Sequence, residues 1–351
     1  MTQDERLRVL VLFGGCSTEY GVSLQSARAV LEHMDRTLFT PVMAGITRAG
    51  AWQLYTGPLE RIEDGSWAQD TEHCAPCVLP ADRTRRALLL PETGECVEFD
   101  VAFPVLHGKN GEDGTVQGLL ELAGIPIVGC GTLSSALCMD KDRSHKLAAA
   151  QGVLVPRSAV FSRGADEAAI AEEAERLGWP LFVKPVRSGS SYGVNRVESR
   201  EQLLPAVEEA FSHDSRVILE EAVPGFEVGC AVMGGDTLFT GEVDEIELSQ
   251  GFFDFEEKYS LKTSAIHCPA RISPDKAREI RRTAQVIYRA LDCRVFARVD
   301  LFLTPQGQIV FNEVNTIPGF TSHSRYPTMM AKAGLSFREL ITRLICLGVE
   351  A

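Results

Sequence analysis

The chain opens with an almost unbroken apolar run, Leu7 to Phe13, closed by Gly14-Gly15. It shows no alternation, so it predicts a strand buried on both faces of a parallel sheet. Ser23 is expected to open a helix, with Leu24, Ala27, Val30, Leu31 and Met34 on one face. Val101–Leu106 repeats the buried-strand pattern and feeds the polar loop His107-Gly-Lys-Asn-Gly-Glu-Asp-Gly114. A helix around Val116–Ala123 and a strand at Pro126–Val128 complete a β-α-β rhythm. Residues 1–132 therefore read as one doubly wound α/β domain. The stretch 48–98 has no clear period and is expected to be the least regular part.

A helix from Ser134 to about Gln151 leads into a second unit, 133–221. Its strands are predicted at Leu181–Val186, Gly193–Val197 and Val217–Glu220, with helices near Ala165–Leu177 and Arg200–Phe211. In a third unit, 222–351, strands resume at Glu227 and are broken by a polar-aromatic loop, 249–264. Ser273-Pro274 should cap a helix carrying Ala277, Ile280, Ala284, Ile287 and Leu291 in register. The last predicted element is a hairpin, Phe296–Leu303 and Ile309–Asn315 around a Pro-Gln-Gly turn. The fold class is α/β and α+β in three units.

Composition narrows the partners. Lys plus Arg number 35 against 48 Asp plus Glu, for a net charge of −13. Such a chain has no global positive field to draw in a nucleic acid or an anionic membrane. No run approaches the roughly 18 apolar residues of a membrane span, and the N-terminus lacks a signal-peptide pattern. The 10 cysteines are scattered singly apart from Cys74-Ala-Pro-Cys77, where only His73 could add a zinc ligand nearby. Reduced thiols in a surface loop, and a cytoplasmic location, are expected.

The final hairpin carries the strongest chemical signal. Side chains two apart on a strand share a face, so Arg298 points with Asp300 and Glu313 with Asn315, on otherwise apolar strands. Buried polar groups of this kind need partners. They fit either an internal ion-pair network or a magnesium site, because magnesium takes one or two carboxylates plus substrate phosphates. Lys184 stands inside the apolar run Leu181-Phe-Val-Lys-Pro-Val186, and Arg187–Gly193 follows with the Gly and Ser content of a phosphate loop or a plain hairpin. Neither the Walker pattern nor GxGxxG occurs, which removes the usual dinucleotide and P-loop readings.

At this point the chain resembles the D-alanine–D-alanine ligase family of the ATP-grasp superfamily. The matching segments are FGGCSTEYGVS, FPVLHGKNGEDGTVQG, MDKDRSHKL, FVKPVRSGSSYGV, FEVGCAV, EKY, ARVDLF and FNEVNTIPGFTSHSRYP. They run in order along nearly the whole length. The resemblance implies that Glu19 holds the ammonium of a first D-alanine, supported by Ser190 and with His107 nearby. Lys141 and Lys184 would bind ATP phosphates, with Ser191 in the closing loop. Glu220 and Glu227 match adenine-edge and ribose positions. Asp300, Glu313 and Asn315 match ligands of two magnesium ions, which manganese could replace. Arg298 and the Gly319 amide match an oxyanion-stabilising pair, and Ser324 a substrate-contacting serine. Lys258 and Tyr259 match residues that close a lid, and a homodimer is implied.

The second substrate is read from fewer residues. Lys258-Tyr259 stands where lactate-adding relatives carry a histidine-bearing lid, which disfavours D-lactate. Arg325 follows Ser324 where ordinary ligases commonly have an aliphatic residue. With Asp244 and Phe253, it resembles the D-serine-adding subgroup of G-type vancomycin-resistance ligases. An ordinary D-Ala–D-Ala ligase with Arg325 at its surface is the alternative. A nucleotide-binding protein without catalysis would be expected to have lost Arg298, Glu313 or Lys184, and all three are present.

Overall fold

The computed structural model describes residues 6–189, 192–248 and 264–351. The predicted first strand is β1 (Leu7–Gly14), with Val9 to Phe13 fully buried. It pairs in parallel with β2 (Phe39–Ile46), and β3 (Trp52–Tyr55) and β4 (Cys74–Pro76) extend that edge antiparallel. A separate pair, β5 (Ala87–Leu89) and β6 (Cys96–Glu98), occupies the stretch that showed no period. Its strands are too short to display one. On the other side of β1 lies β7 (Val101–Pro104), again parallel. The expected strand at Pro126–Val128 is reduced to one bridge, Ala102 to Ile127.

The first helix spans Tyr20–His33 and buries Leu24, Ala27, Val30 and Leu31 as predicted. It starts three residues before Ser23, whose hydroxyl is otherwise engaged. Ser23 accepts from the Gly14 amide at 2.8 Å and donates to the Val105 carbonyl, tying together the ends of β1 and β7.

Where one helix was expected from Ser134, there are two, Thr132–Met139 and Lys141–Ala150. Asp140 separates them in an extended conformation and caps the second by accepting from the Arg143 amide at 3.0 Å. The break lets the Lys141 amide donate to the Val186 carbonyl at 3.2 Å. Lys141 is thereby set at the exit of the strand that carries Lys184.

The second sheet contains β8 (Ser158–Ser162), β9 (Leu181–Pro185), β10 (Asn195–Val197) and β11 (Arg216–Glu221), in the order β10-β9-β11-β8, all antiparallel. The third contains β12 (Phe226–Gly234), β13 (Leu238–Thr240), β14 (Asp244–Leu248), β15 (Ser264–His267), β16 (Val295–Leu303) and β17 (Ile309–Asn315). Its order is β15-β14-β12-β16-β17, with β13 on β12. The predicted hairpin is β16–β17, in which Arg298 faces Asn315 and Asp300 faces Glu313. The helix Pro274–Ala290 is capped by Ser273 and buries Ile280, Ala284 and Ile287.

The first and third units share a core. Val9, Val11 and Phe103 pack in one cluster with Phe296, Phe320 and Tyr326, and with Leu340, Ile341 and Leu344 of the helix Phe337–Glu350. Cys77 is buried and Cys74 begins β4, so the pair does not sit in a surface loop. Both are free thiols, and His73 is engaged with Asp70. No helix among the described residues is long and apolar enough to cross a membrane.

Candidate active site

The hairpin's chemistry is concentrated on Asp300, which is almost wholly buried. Arg298 Nε and Nη2 reach its two oxygens at 2.8 and 2.7 Å, and Asn315 Nδ2 donates to Oδ2 at 2.8 Å. Across the ladder, Glu313 Oε2 lies 3.7 Å from Lys141 Nζ, which also donates to the Ser188 carbonyl at 2.9 Å. A cavity of about 30 Å³ sits among Glu112, Lys141, Gly189, Glu313 and Asn315. Among the described residues no three His, Cys, Asp or Glu side chains gather as a metal cluster. Two carboxylates and an amide on one hairpin face, beside a phosphate-type lysine, nevertheless fit a magnesium ion that takes its other oxygens from phosphate.

Lys184 projects from β9 and ion-pairs with Glu220 of β11. Glu220 Oε1 lies 3.7 Å from His145 Nδ1, and His145 Nε2 is 2.7 Å from the Asn312 carbonyl. Burial would push the Glu220 carboxyl up, yet the charges of Lys184 and His145 hold it below the ordinary carboxylate range. Burial pushes the His145 imidazole down, and the Glu220 charge opposes that shift. Sequence reading missed it because a histidine inside an ordinary helical run carries no spacing signal.

Arg325 is not a surface residue. It opens the helix Arg325–Lys332 at 9 % exposure. Its Nε and Nη2 bond both oxygens of the fully buried Asp244 at 2.7 and 2.8 Å. Its Nη1 meets Glu227 at 2.7 Å and lies 3.4 Å from Asp300. Glu227 is thereby joined to the Arg325–Asp244 pair. Gly319 backs onto Ser324, where an added Cβ would stand 3.1 Å from the hydroxyl. Ser324 Oγ accepts from the Thr321 amide at 3.0 Å.

Glu19, at the N-cap of the first helix, makes no side-chain capping bond. Its carboxylate is pressed between Gly108 and Gly189, where an added Cβ would stand 2.4 and 3.1 Å from Oε2. It borders a cleft of about 890 Å³ together with Ser17, Arg187 and Tyr192. His107 is buried, with Nδ1 2.9 Å from the Ile317 carbonyl and Nε2 3.1 Å from Ser26 Oγ. Only a donor satisfies a carbonyl, so the proton is on Nδ1 and Nε2 accepts. Burial, then the Glu19 charge, pushes the neighbouring Glu112 carboxyl up to about 8. Ser190, Ser191, Phe253, Lys258 and Tyr259 lie outside the described residues.

Two family models cover most of the chain: the D-ala D-ala ligase N-terminus over residues 8–130 and the D-ala D-ala ligase C-terminus over 147–346. The chain belongs to the D-alanine–D-alanine ligase family. It has the expected mixed α/β architecture of an ATP-grasp enzyme, and it is an ATP-dependent ligase. The chain is 54% identical to the crystal structure of VanG D-Ala:D-Ser ligase from Enterococcus faecalis, with a TM-score of 0.92 and coverage of 98% of this chain and 99% of that one. It is 46% identical to a putative D-alanine–D-lactate ligase of Streptomyces coelicolor, covering 98% of each chain. A D-alanine–D-alanine ligase of Caldicellulosiruptor bescii is 44% identical, over 98% of this chain and 96% of that protein.

Proposed function

We propose that the protein joins D-alanine to D-serine with ATP, through an acyl phosphate, to give a cell-wall precursor dipeptide. The observation that carries the choice of second substrate is Arg325, buried and fork-bonded to Asp244 within 3.4 Å of Asp300. A hydroxyl entering beside that pair finds charged donors and acceptors. Alanine leaves them without a substrate partner, which a purely apolar pocket could not exploit.

In the proposed reaction Glu19 orients the first substrate by its ammonium. The carboxylate of that substrate attacks the γ-phosphate, the bond to the β–γ bridging oxygen breaks and ADP leaves, while Lys141 and Lys184 bind the phosphate oxygens. Glu220 and Glu227 are assigned to adenine and ribose, and Asp300, Glu313 and Asn315 would hold magnesium. Bound magnesium, as one ion or two, would draw negative charge off the transferred phosphoryl group. The second substrate's neutral amine then attacks the acyl phosphate carbonyl, Arg298 with the Gly319 amide stabilises the resulting oxyanion, and its collapse expels inorganic phosphate as the nitrogen gives up a proton. Ser190 is proposed to support Glu19 and Phe253 to line the second subsite, while Ser191, Lys258 and Tyr259 complete the closed site that excludes water. The divisions 1–132, 133–221 and 222–351, a homodimer and a cytoplasmic location belong to the same proposal.

An ordinary D-Ala–D-Ala ligase is the second reading, favoured by the 44% identity to the Caldicellulosiruptor bescii enzyme. Competition between D-serine and D-alanine, with both dipeptides quantified, separates the two. D-Ala–D-Ser in excess supports the proposal, and D-Ala–D-Ala in excess at equal concentrations overturns the serine assignment.

A further inference from the structure

The Gly319 amide belongs to a short segment, Thr316–Phe320, that leaves β17 immediately after Asn315. Every polar anchor described below for that segment comes from the first unit. Ile317 precedes Pro318, which confines it to an extended backbone. In that conformation its N–H and C=O face the same side, as in an antiparallel hydrogen-bonded pair. Both face the loop after β7. The Ile317 amide donates to Glu112 Oε1 at 3.1 Å, and its carbonyl accepts from His107 Nδ1 at 2.9 Å. The other Glu112 oxygen accepts from the Gly108 amide at 2.8 Å, so the side chain also folds its own loop.

The second anchor lies just past the glycine. The Phe320 amide donates to Ser26 Oγ at 3.2 Å, and the same hydroxyl meets His107 Nε2 at 3.1 Å. The Phe320 ring is buried among Phe103, Phe296 and Tyr326, with centroids 5.7 to 6.1 Å away. Gly319 is thus bracketed by a clamp two residues before it and an anchor one residue after it. Ser26, His107 and Glu112 form one connected set of hydrogen bonds behind it.

We propose that Glu112 is a positioning residue for the second half-reaction: it holds Ile317, and through it the Gly319 amide, where the oxyanion develops. The inference rests on the reading of Gly319 as an oxyanion donor in the ligase. Glu112 bonds only the Gly108 and Ile317 amides among the contacts just described. Each oxygen of a carboxyl group keeps a lone pair in either protonation state, whereas a glutamine amide would turn an NH2 group, which accepts nothing, toward one of the two amide donors. Glu112→Gln therefore loses one side of the clamp while keeping the size of the side chain. An oxyanion donor displaced by a fraction of an ångström acts on the transition state and not on the bound ground state. Phosphoryl transfer from ATP to D-alanine does not use the Gly319 amide in the proposed mechanism.

The test is a quenched single turnover of the full chain with ATP, magnesium and D-alanine, with and without D-serine, following ADP and dipeptide separately. Wild type forms both, and failure to do so would overturn the ligase reading itself. Because Glu112 also borders the cavity beside Lys141 and Glu313, its variant is read by the ratio of the two rates: Glu112→Gln is expected to slow dipeptide formation about ten- to a hundredfold more than ADP formation, short of the effect of deleting the donor. Ser26→Ala, which frees the Phe320 amide, should show the same split. Equal slowing of both products, loss of ADP formation, or an unchanged dipeptide rate in both variants would overturn the clamp.

Discussion

Arg325 holds Asp244 by two parallel hydrogen bonds, of 2.7 Å from Nε and 2.8 Å from Nη2. The acid is fully buried and Arg325 nearly so, and Arg325 also reaches Glu227 at 2.7 Å. A planar guanidinium is suited to this fork, and a lysine could not reproduce it. Arg325→Leu is expected to lower the serine-to-alanine ratio of kcat/KM by about ten- to a hundredfold, the value of one or two lost polar contacts. It should also cost about 3–5 kcal/mol of stability, because Asp244 is left charged and unpaired. Adding Asp244→Asn to Arg325→Leu should recover part of the lost melting temperature. Competition assays and thermal melts on both variants check the two halves. An unmoved product ratio would remove Arg325 from substrate choice.

Glu313 faces Asp300 across β16–β17 and lies 3.7 Å from Lys141. Glu313→Gln keeps its shape and removes the charge that Glu313 would offer a magnesium ion. D-Alanine-dependent phosphate release should fall by at least about a hundredfold, with saturating magnesium failing to restore it. Turnover close to wild type across a magnesium titration would show that the hairpin is a structural ion-pair network.

Lys184 is paired with Glu220 in a buried setting. Lys184→Met removes a cation assigned to ATP phosphate, and a charged hydrogen bond contributes about 1.5–3 kcal/mol. The KM for ATP should rise at least about tenfold, with the KM values of the amino acids much less affected. Steady-state kinetics with each substrate varied in turn checks this, and a uniform rise in all KM values would contradict the assignment.

His107 and His145 are both held below the ordinary histidine range, chiefly by burial. A histidine near 6.5 in the unfolded chain then takes up a proton that the folded chain resists. Above about pH 7 both states are neutral and these residues add no pH dependence. The histidines' contribution to stability should fall as pH drops below about 6.5, because the unfolded state binds the extra protons, while the Glu112 carboxyl, held at about 8, contributes with the opposite sign. Urea midpoints between pH 7.5 and 5.5 should therefore decline less, or rise more, in His107→Asn than in wild type. An identical slope in the variant would mean that His107 titrates alike in the folded and unfolded chain.

Much of this arrangement is legible from spacing alone. The hairpin announces itself because charged residues two apart on apolar strands must share a face, and the structure joins Arg298, Asp300 and Asn315 there. Lys184 was visible for the same reason, as a charge inside an apolar run. Other features have no local signature. The break at Asp140 depends on the Lys141 amide reaching Val186, a contact that no helical period foreshadows. Glu112 lies in a loop whose polarity was evident, but its partner Ile317 is 205 positions away. Arg325 read as a subsite residue, with a surface position as the alternative, and the fold places it on Asp244. The strands within 48–98 escaped because three or four residues are too few to show alternation.

The central claim is that ligation proceeds through a carboxylate phosphorylated by ATP. It is tested most directly with D-alanine carrying ¹⁸O in its carboxylate, incubated with the protein, magnesium, ATP and D-serine. Mass spectrometry of the products should find D-Ala–D-Ser, ADP, and one labelled oxygen carried into each inorganic phosphate released. Unlabelled phosphate, or AMP and pyrophosphate in place of ADP, would contradict it.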